Sequence, residues 1–305
     1  MFNLLKDDDL TPEQMTRVLE VAAEDAPAEQ VLAGRRVLLM FLARSTRTRV
    51  SLEVAVSSLG GVPVLLDNLR SRLADGETTA DTARVMAQYF DLAFIRAYQP
   101  DVDAFAAGFG GTTVCAGSDL WHPTQILADL LTLQQEFGSL RGLPISYLGD
   151  GNDICNSLML GSCALGLRVR VATPPDHRPS PDAIERALRA CEHSGGELTL
   201  LTDPVEAVSG TKAICTDVWR SMVPDDQHEQ ADRFAEFGDY QVHEKLFGHA
   251  ADDAVFMHPL PARRDEEVTS ALLDSPRSLV LRQARNRLPI NQALLQLLPD
   301  FGRGQ

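Results

Sequence analysis

The chain has 305 residues, 44% hydrophobic and 23% charged, with a formal net charge of −15. That length exceeds one small core and suits two domains of roughly 150 residues each. The acidic balance argues against a nucleic-acid partner, and no apolar run reaches the roughly 18 residues that a membrane helix requires.

The N-terminus, MFNLLKDDDL, is acidic and does not read as a secretory or mitochondrial presequence, so a cytoplasmic protein is expected. Thr11 opens the first helix, with Pro12 in its first position and Gln14 completing a capping box. Met15, Val18, Leu19 and Ala22 then recur at helical spacing. An apolar strand spans 36–42, a helix roughly 48–59 ends at Gly60-Gly61, and VPVLLD (62–67) is a second strand. The polar stretch NLRSRLADGETT leads to a helix near 80–90, and strands follow at 91–96 and 112–117. WHPTQILADLLTLQQEFG (121–138) is a helix with Pro123 in its first turn.

Gly138 to Pro144 reads as a junction, after which the alternation starts again. Strands are expected at 145–150, 168–173, 197–202, 213–218 and 254–258, helices at 153–166 and 181–194, and a last helix near 288–298. Short apolar strands alternating with helices imply an α/β protein whose parallel sheets carry helices on both faces. Two doubly wound domains result, 1–140 and 141–286, with a C-terminal helix of about 287–305 returning to the first. Five cysteines, Cys115, Cys155, Cys163, Cys191 and Cys215, form no C-x-x-C pair, so neither a disulfide framework nor a structural metal site is expected.

Ligands of such sheets sit at the carboxyl ends of the strands, and four places there carry chemistry. In FLARSTRTR (41–49) an apolar strand gives way to Ser45, Thr46, Arg47 and Thr48 at a helix start. Free N–H groups, hydroxyls and a bidentate guanidinium at one turn suit a small anion. Arg96 ends the strand DLAFIR, and His122 and Gln125 flank Pro123 at the start of the next helix. In HPLPARR (258–264), His258 ends a strand and two prolines hold the backbone extended, leaving carbonyl oxygens to accept bonds from a substrate NH₂. Taken singly, each has a plain structural reading as a cap, a surface charge or a rigid loop. GDGND (149–153) follows a strand but lacks the third glycine of a dinucleotide fingerprint, and no cofactor is expected.

STRTR (45–49), HPTQILADL (122–130), MHPLPARR (257–264), DTARV (81–85) and QARNRL (283–288) together, and in this order, resemble the aspartate/ornithine carbamoyltransferase family over essentially the whole chain. The resemblance implies a carbamoyl-phosphate domain (1–140) followed by an amino-acid or amine-acceptor domain (141–286). It implies that Ser45, Thr46, Arg47 and Thr48 hold the phosphate of carbamoyl phosphate. Arg96 and His122 would polarise the carbamoyl oxygen, and Gln125 with the carbonyl of Leu260 would hold the carbamoyl amino group. Arg287 would close on the ligand. Arg47, Thr48, Arg96 and His122 are thus the expected catalytic residues. It also implies a homotrimer in which a loop within about 68–80 of one subunit enters its neighbour's site.

On the acceptor side, TDVWRSM (216–222) resembles the ornithine enzymes' motif. Asp217 would hold an α-ammonium group, and Ser221 and Met222 would meet the carboxylate end. This chain departs from that pattern at Val223, where the family has Gly, and at Asp153, where it has an Asn that meets ornithine's carboxylate. Asn152 is the neighbour able to substitute. Pro259 stands where ornithine enzymes usually carry Cys, and Leu42-Ala43 replace a Glu-Lys pair. Three readings stay open: transfer to L-ornithine giving L-citrulline, transfer to another diamino acid or diamine, and a non-catalytic carbamoyl-phosphate binder. The acidic stretch 224–240 is where a lid would lie.

Overall fold

α1 (Pro12–Ala23) forms as its sequence dictates: the Thr11 hydroxyl accepts from the Gln14 N–H at 3.2 Å, and the Gln14 carboxamide accepts from the Thr11 N–H at 2.9 Å. Met15, Val18, Leu19 and Ala22 are its buried face. The computed structural model describes residues 2–24, 30–67, 76–219 and 235–301. Two compact units emerge, 1–128 with 285–305, and 129–284.

The first unit holds β1 (Arg36–Phe41), α2 (Arg47–Ser58), β2 (Val62–Asp67), α3 (Thr79–Met86), β3 (Leu92–Arg96), α4 (Gln99–Phe109), β4 (Thr112–Cys115) and α5 (Pro123–Phe137), which runs on past residue 128. Its sheet is parallel in the order β2-β1-β3-β4. β1 is buried along all but its first residue, as a central strand covered on both faces must be. The register pairs Phe41 with Arg96, so the carboxyl ends of β1 and β3 finish level. Leu38, Met40, Ile95, Val102, Phe105 and Phe109 belong to the core on one side of the sheet.

The second unit holds β5 (Pro144–Leu148), α6 (Asp153–Ala164), β6 (Arg168–Ala172), α7 (Pro181–Ser194), β7 (Glu197–Leu201), α8 (Pro204–Val208), β8 (Ala213–Thr216) and β9 (Val255–Met257). Its sheet is parallel in the order β7-β6-β5-β8-β9. The winding reverses at β5: β6 and β7 lie to one side, β8 and β9 to the other. The crevice above β5 and β8 is where sheets wound in this way hold their ligands.

Three of these elements differ from the sequence reading, among them α8, which was not anticipated. α4 was not anticipated, although Val102, Phe105, Ala106 and Phe109 form its buried stripe and Gly110, at φ 65°, ends it. The C-terminal helix runs over Val280–Phe301, longer than 288–298, because Pro289 lies inside it rather than at its start. Residues from 285 onward pack with the first unit. Among the described residues, no helix is long and apolar enough to cross a membrane.

Candidate active site

In the first unit, α2 begins within the stretch 45–48. Thr46 precedes the helix but makes no side-chain capping bond, so the first turn's N–H groups are not taken up by it. Arg47 is the first helical residue and half-buried, Ser45 is half-buried, Thr46 is exposed and Thr48 is buried. Arg49, by contrast, pairs with Glu53 one turn on, at 2.9 Å.

Thr48 leads to the other motifs. The Arg287 guanidinium donates to the Thr48 hydroxyl at 3.0 Å and also to the Gln125 carboxamide oxygen. STRTR, HPTQ and QARNRL, scattered over the sequence, thus meet around one buried guanidinium, 4% exposed.

Arg96 turns back from the end of β3. Its Nη1 donates to the Ala116 carbonyl at 3.2 Å and to His122 Nε2 at 3.1 Å. Arginine is only a donor, so Nε2 is the accepting nitrogen and the ring proton belongs on Nδ1, 3.4 Å from the Thr124 hydroxyl. The close approach depends on Gly117, at φ 117°, where an added Cβ would run into the Arg96 guanidinium. Burial first, then the positive charges of Arg287 and Arg96, hold the His122 imidazole well below its usual range. The ring is neutral at physiological pH, and the positive charge around it belongs to arginine. In a chain of net charge −15, this concentration of positive charge is local and built.

The second unit supplies a different set. Asn152 caps α6: its side-chain oxygen accepts from the N–H groups of Ile154 and Cys155, both at 3.1 Å, and from the Tyr147 hydroxyl at 3.2 Å. Its amide donates to Asp217 at 2.9 Å and to the Val218 carbonyl at 3.4 Å. Both ends of Asn152 are therefore used within the protein, and it is not available to stand in for the residue at 153. Asp153 opens α6 and Asp217 follows β8, so both lie at the switch point, buried. Asp217 is pushed up to about 7, by burial first and then by Asp153 and Glu267, while His258 acts the other way. Gly149, at φ 114°, turns the chain after β5 and leaves room for the Trp219 indole. Trp219 stacks on Phe237 at 5.4 Å.

In HPLP the backbone is not simply extended. Leu260 has φ 58°, and the Leu260–Pro261 bond is cis. The left-handed Leu260 is held by its own N–H, which donates to His258 Nδ1 at 2.9 Å. His258 Nε2 in turn meets Glu267 at 3.0 Å, both side chains wholly buried. Gln283 accepts the His258 N–H at 2.8 Å and donates to Asp129 at 2.9 Å. Pro259 is half-buried between these contacts. Glu267, Gln283, Asp129 and Gly117 are supports that the sequence reading did not single out. Ser221, Met222, Val223 and most of the 224–240 stretch lie outside the described residues, as does 68–75.

Two family models match this chain. The carbamoyl-phosphate-binding domain of the aspartate/ornithine carbamoyltransferases covers residues 3–135, and their Asp/Orn-binding domain covers 141–298. The chain belongs to the aspartate/ornithine carbamoyltransferase family. Among relatives, the ornithine carbamoyltransferase of Rhodococcus opacus is 44% identical over 96% of this chain and 94% of that one. That of Carboxydothermus hydrogenoformans is 41% identical over 97% of each. The solved ornithine carbamoyltransferase from Pyrococcus furiosus superposes with a TM-score of 0.92 at 40% identity, covering 97% of this chain and 96% of that one. The family, the α/β fold and the class of enzyme expected from the motifs are all borne out.

Proposed function

We propose that this chain transfers the carbamoyl group of carbamoyl phosphate to the side-chain amine of L-ornithine, giving L-citrulline and phosphate. The observation that carries the reading is the arginine-rich site of the first unit, where Thr48, Gln125 and Arg287 are joined and Arg96 is braced on a neutral His122. In this reading the first unit is the carbamoyl-phosphate domain, 1–140 with about 287–305, and 141–286 is the acceptor domain.

The first turn of α2, with Ser45, Thr46 and Arg47, holds the phosphate at the helix's positive end. Thr48, Arg96 and His122 face the carbamoyl oxygen. Arg96 is the strong donor there, because His122 Nε2 already accepts from it. Gln125 and the Leu260 carbonyl hold the carbamoyl amino group, and Arg287 neutralises charge beside them. The amine nitrogen attacks the carbamoyl carbon with its lone pair, and the oxyanion that forms is stabilised by preorganised donors. The C–O bond to phosphate then breaks, its electron pair leaves with the phosphate, and the nitrogen sheds one proton. Only the neutral amine attacks. A free alkyl amine has a pKa of about 10.4, so turnover rises with pH through the neutral range. Asp217 anchors the acceptor's second ammonium group, with Asn152 orienting it and Asp153, Ser221, Met222 and Pro259 around it.

A homotrimer working in the cytoplasm, with 68–80 of one copy completing its neighbour's site, belongs to the same proposal. Val50, Val54 and Val62 are exposed at 51%, 47% and 53%. All three lie at the β2 edge of the first sheet or on α2 beside it, which suits an interface between copies. Sedimentation at two concentrations would show a single species of three chains.

The test of activity is phosphate release from carbamoyl phosphate with and without L-ornithine. Turnover that depends on the amine, and falls by at least two orders of magnitude in Arg47→Ala with the fold intact, is expected. Release at the background rate with every amine offered would overturn the reading.

A further inference from the structure

α7 lies on α6 along a face of small side chains. Ala183 and Ala187 are its buried positions, and Cys191, one turn further on, continues the same face. At the end of that face the Ser194 hydroxyl donates to the Cys163 carbonyl at 2.6 Å. Cys163 stands in the last turn of α6 and is wholly buried, whereas Cys191 is half-buried. The backbone beyond α7 stays as close: a Cβ at Gly196 would lie 3.0 Å from the same Cys163 carbonyl. Residues three apart share a helix face, so the contact of Ser194 with Cys163 brings Cys191 alongside it too. The two thiols are hydrogen-bonded to each other.

The five cysteines are not alike. Burial raises Cys115 to about 12 and holds Cys155 and Cys215 above the usual thiol range. Thiols buried in this way are inert. Within the pair the roles divide. Cys163 is raised by its bond to Cys191 first and then by burial, so it keeps its proton. Cys191 is lowered by that same bond, against burial and the charge of Glu197. The sulfur readier to ionise is thus the one that solvent reaches, and the thiol beside it is sealed in. A reactive sulfur in front of a protected one is the order that stepwise oxidation to a disulfide requires.

We propose that Cys163 and Cys191 are a modification site: hydrogen peroxide oxidises Cys191, Cys163 resolves it, and a reversible disulfide joins α6 to α7. The Cys191 thiolate takes one peroxide oxygen; the S–O bond forms, the O–O bond breaks, and the departing hydroxide picks up a proton. The Cys163 sulfur then attacks the Cys191 sulfur. The S–S bond forms, the S–O bond breaks, and the Cys163 proton leaves with the hydroxide as water. Two thiols and one peroxide give one disulfide and two waters, and a small thiol reverses the change. The bond closes residues 163–191 into a loop and so restricts the unfolded chain. It lies at the far end of α6 from Asn152 and Asp153, about 15 Å away at the rise of a helix. Its effect is therefore on the stability of the second unit rather than on the crevice.

The experiment treats the whole chain with hydrogen peroxide, alkylates the remaining thiols after unfolding, and maps the peptides by mass spectrometry. Melting is measured before and after reduction with dithiothreitol. In wild type the expected product is a Cys163–Cys191 disulfide within one chain, with Cys115, Cys155 and Cys215 alkylated. The oxidised form should melt several degrees above the reduced one. Cys191→Ser should give neither the disulfide nor the shift, and Cys163→Ala should stop at a Cys191 sulfenic acid, trapped by dimedone. A disulfide to any other cysteine or between chains would overturn the proposal. So would Cys191 driven on to sulfinic acid with Cys163 still alkylated, or a wild type whose thiols all survive peroxide that oxidises free cysteine in the same tube. Should Cys163→Ala not fold, wild type and Cys191→Ser decide. No acceptor amine enters either readout, so the result stands whichever amine the enzyme uses.

Discussion

Asp217→Asn should change how stability depends on pH. In the folded chain Asp217 is held at about 7, against 3.8 ordinarily, chiefly by burial and then by its carboxylate neighbours, less the effect of His258. Below pH 3.8 the group is protonated folded or unfolded and contributes nothing. As pH rises from there towards 7 the unfolded chain gives up the proton and the folded chain does not, so stability falls. Above 7 both are ionised and the loss stays constant, at roughly 4 kcal/mol for a displacement of this size. About 2.5 kcal/mol of it develops between pH 5 and pH 8. Asparagine removes the charge and keeps an oxygen for the Asn152 amide, now 2.9 Å from the carboxylate. Calorimetric melts of the ligand-free protein at several pH values would measure this. The variant's advantage over wild type should widen by about 2.5 kcal/mol from pH 5 to pH 8, or several degrees in the melting of the unit that contains it. Carboxylates that do not interact with Asp217 cancel in the difference. Two parallel curves would mean that Asp217 is not held protonated by its surroundings.

Gly117→Ala puts a methyl group where the Arg96 guanidinium passes; kcat should drop by about two orders of magnitude, and a circular dichroism spectrum like wild type would place the loss in the site. Arg287→Met keeps an apolar stem and removes the bonds to Thr48 and Gln125. The KM for carbamoyl phosphate should rise and kcat fall, together by 10²–10⁴ in kcat/KM, whereas acceptor binding measured alone should not move. His122 is neutral because burial and two arginines keep it so. The pH profile of kcat/KM for carbamoyl phosphate should therefore show no ionisation near 6.5, and one that vanishes in His122→Asn would refute this. Glu267→Gln leaves an acceptor for His258 but no charge; it should lose activity without losing more than about 1–2 kcal/mol of stability, by chemical denaturation.

The strands and most of the helices between them were legible because each depends on local rules. Alternating apolar runs specify parallel strands, and hydroxyls with an arginine at a helix start specify an anion site. Arg96, His122 and Gln125 were singled out for the same reason: each ends a strand or opens a helix, and strand ends are where ligands of such sheets lie. α4 was missed although its stripe was present, since Pro100 and Asp101 at its start read equally well as a turn. What no local rule carries is the support beneath the site. Glu267 lies nine residues beyond His258 in an acidic loop sequence, and nothing in that sequence marks one carboxylate as wholly buried. Gly117 is one glycine among 21, and its meaning comes from a guanidinium that is remote in sequence.

Those supports also explain why the motifs are contiguous blocks rather than lone residues. HPTQILADL places Gln125 on the first unit's arginine and, one helical turn later, Asp129 on Gln283. QARNRL does the converse: its Gln283 carries the His258 backbone, and its Arg287, four residues on, carries Thr48 and Gln125. Each block thus serves one network in each unit at a spacing of four, the interval that aligns side chains along one face of a helix. A substitution at Asp129 or Gln283 reaches His258 and so the Leu260 carbonyl, while one at Gln125 or Arg287 reaches Thr48. Neighbouring positions in the same motif should therefore separate in their kinetics: Gln283→Leu should act through His258 and the Leu260 backbone, and Arg287→Met through Thr48 and Gln125. Identical effects on both would mean that the two networks are one.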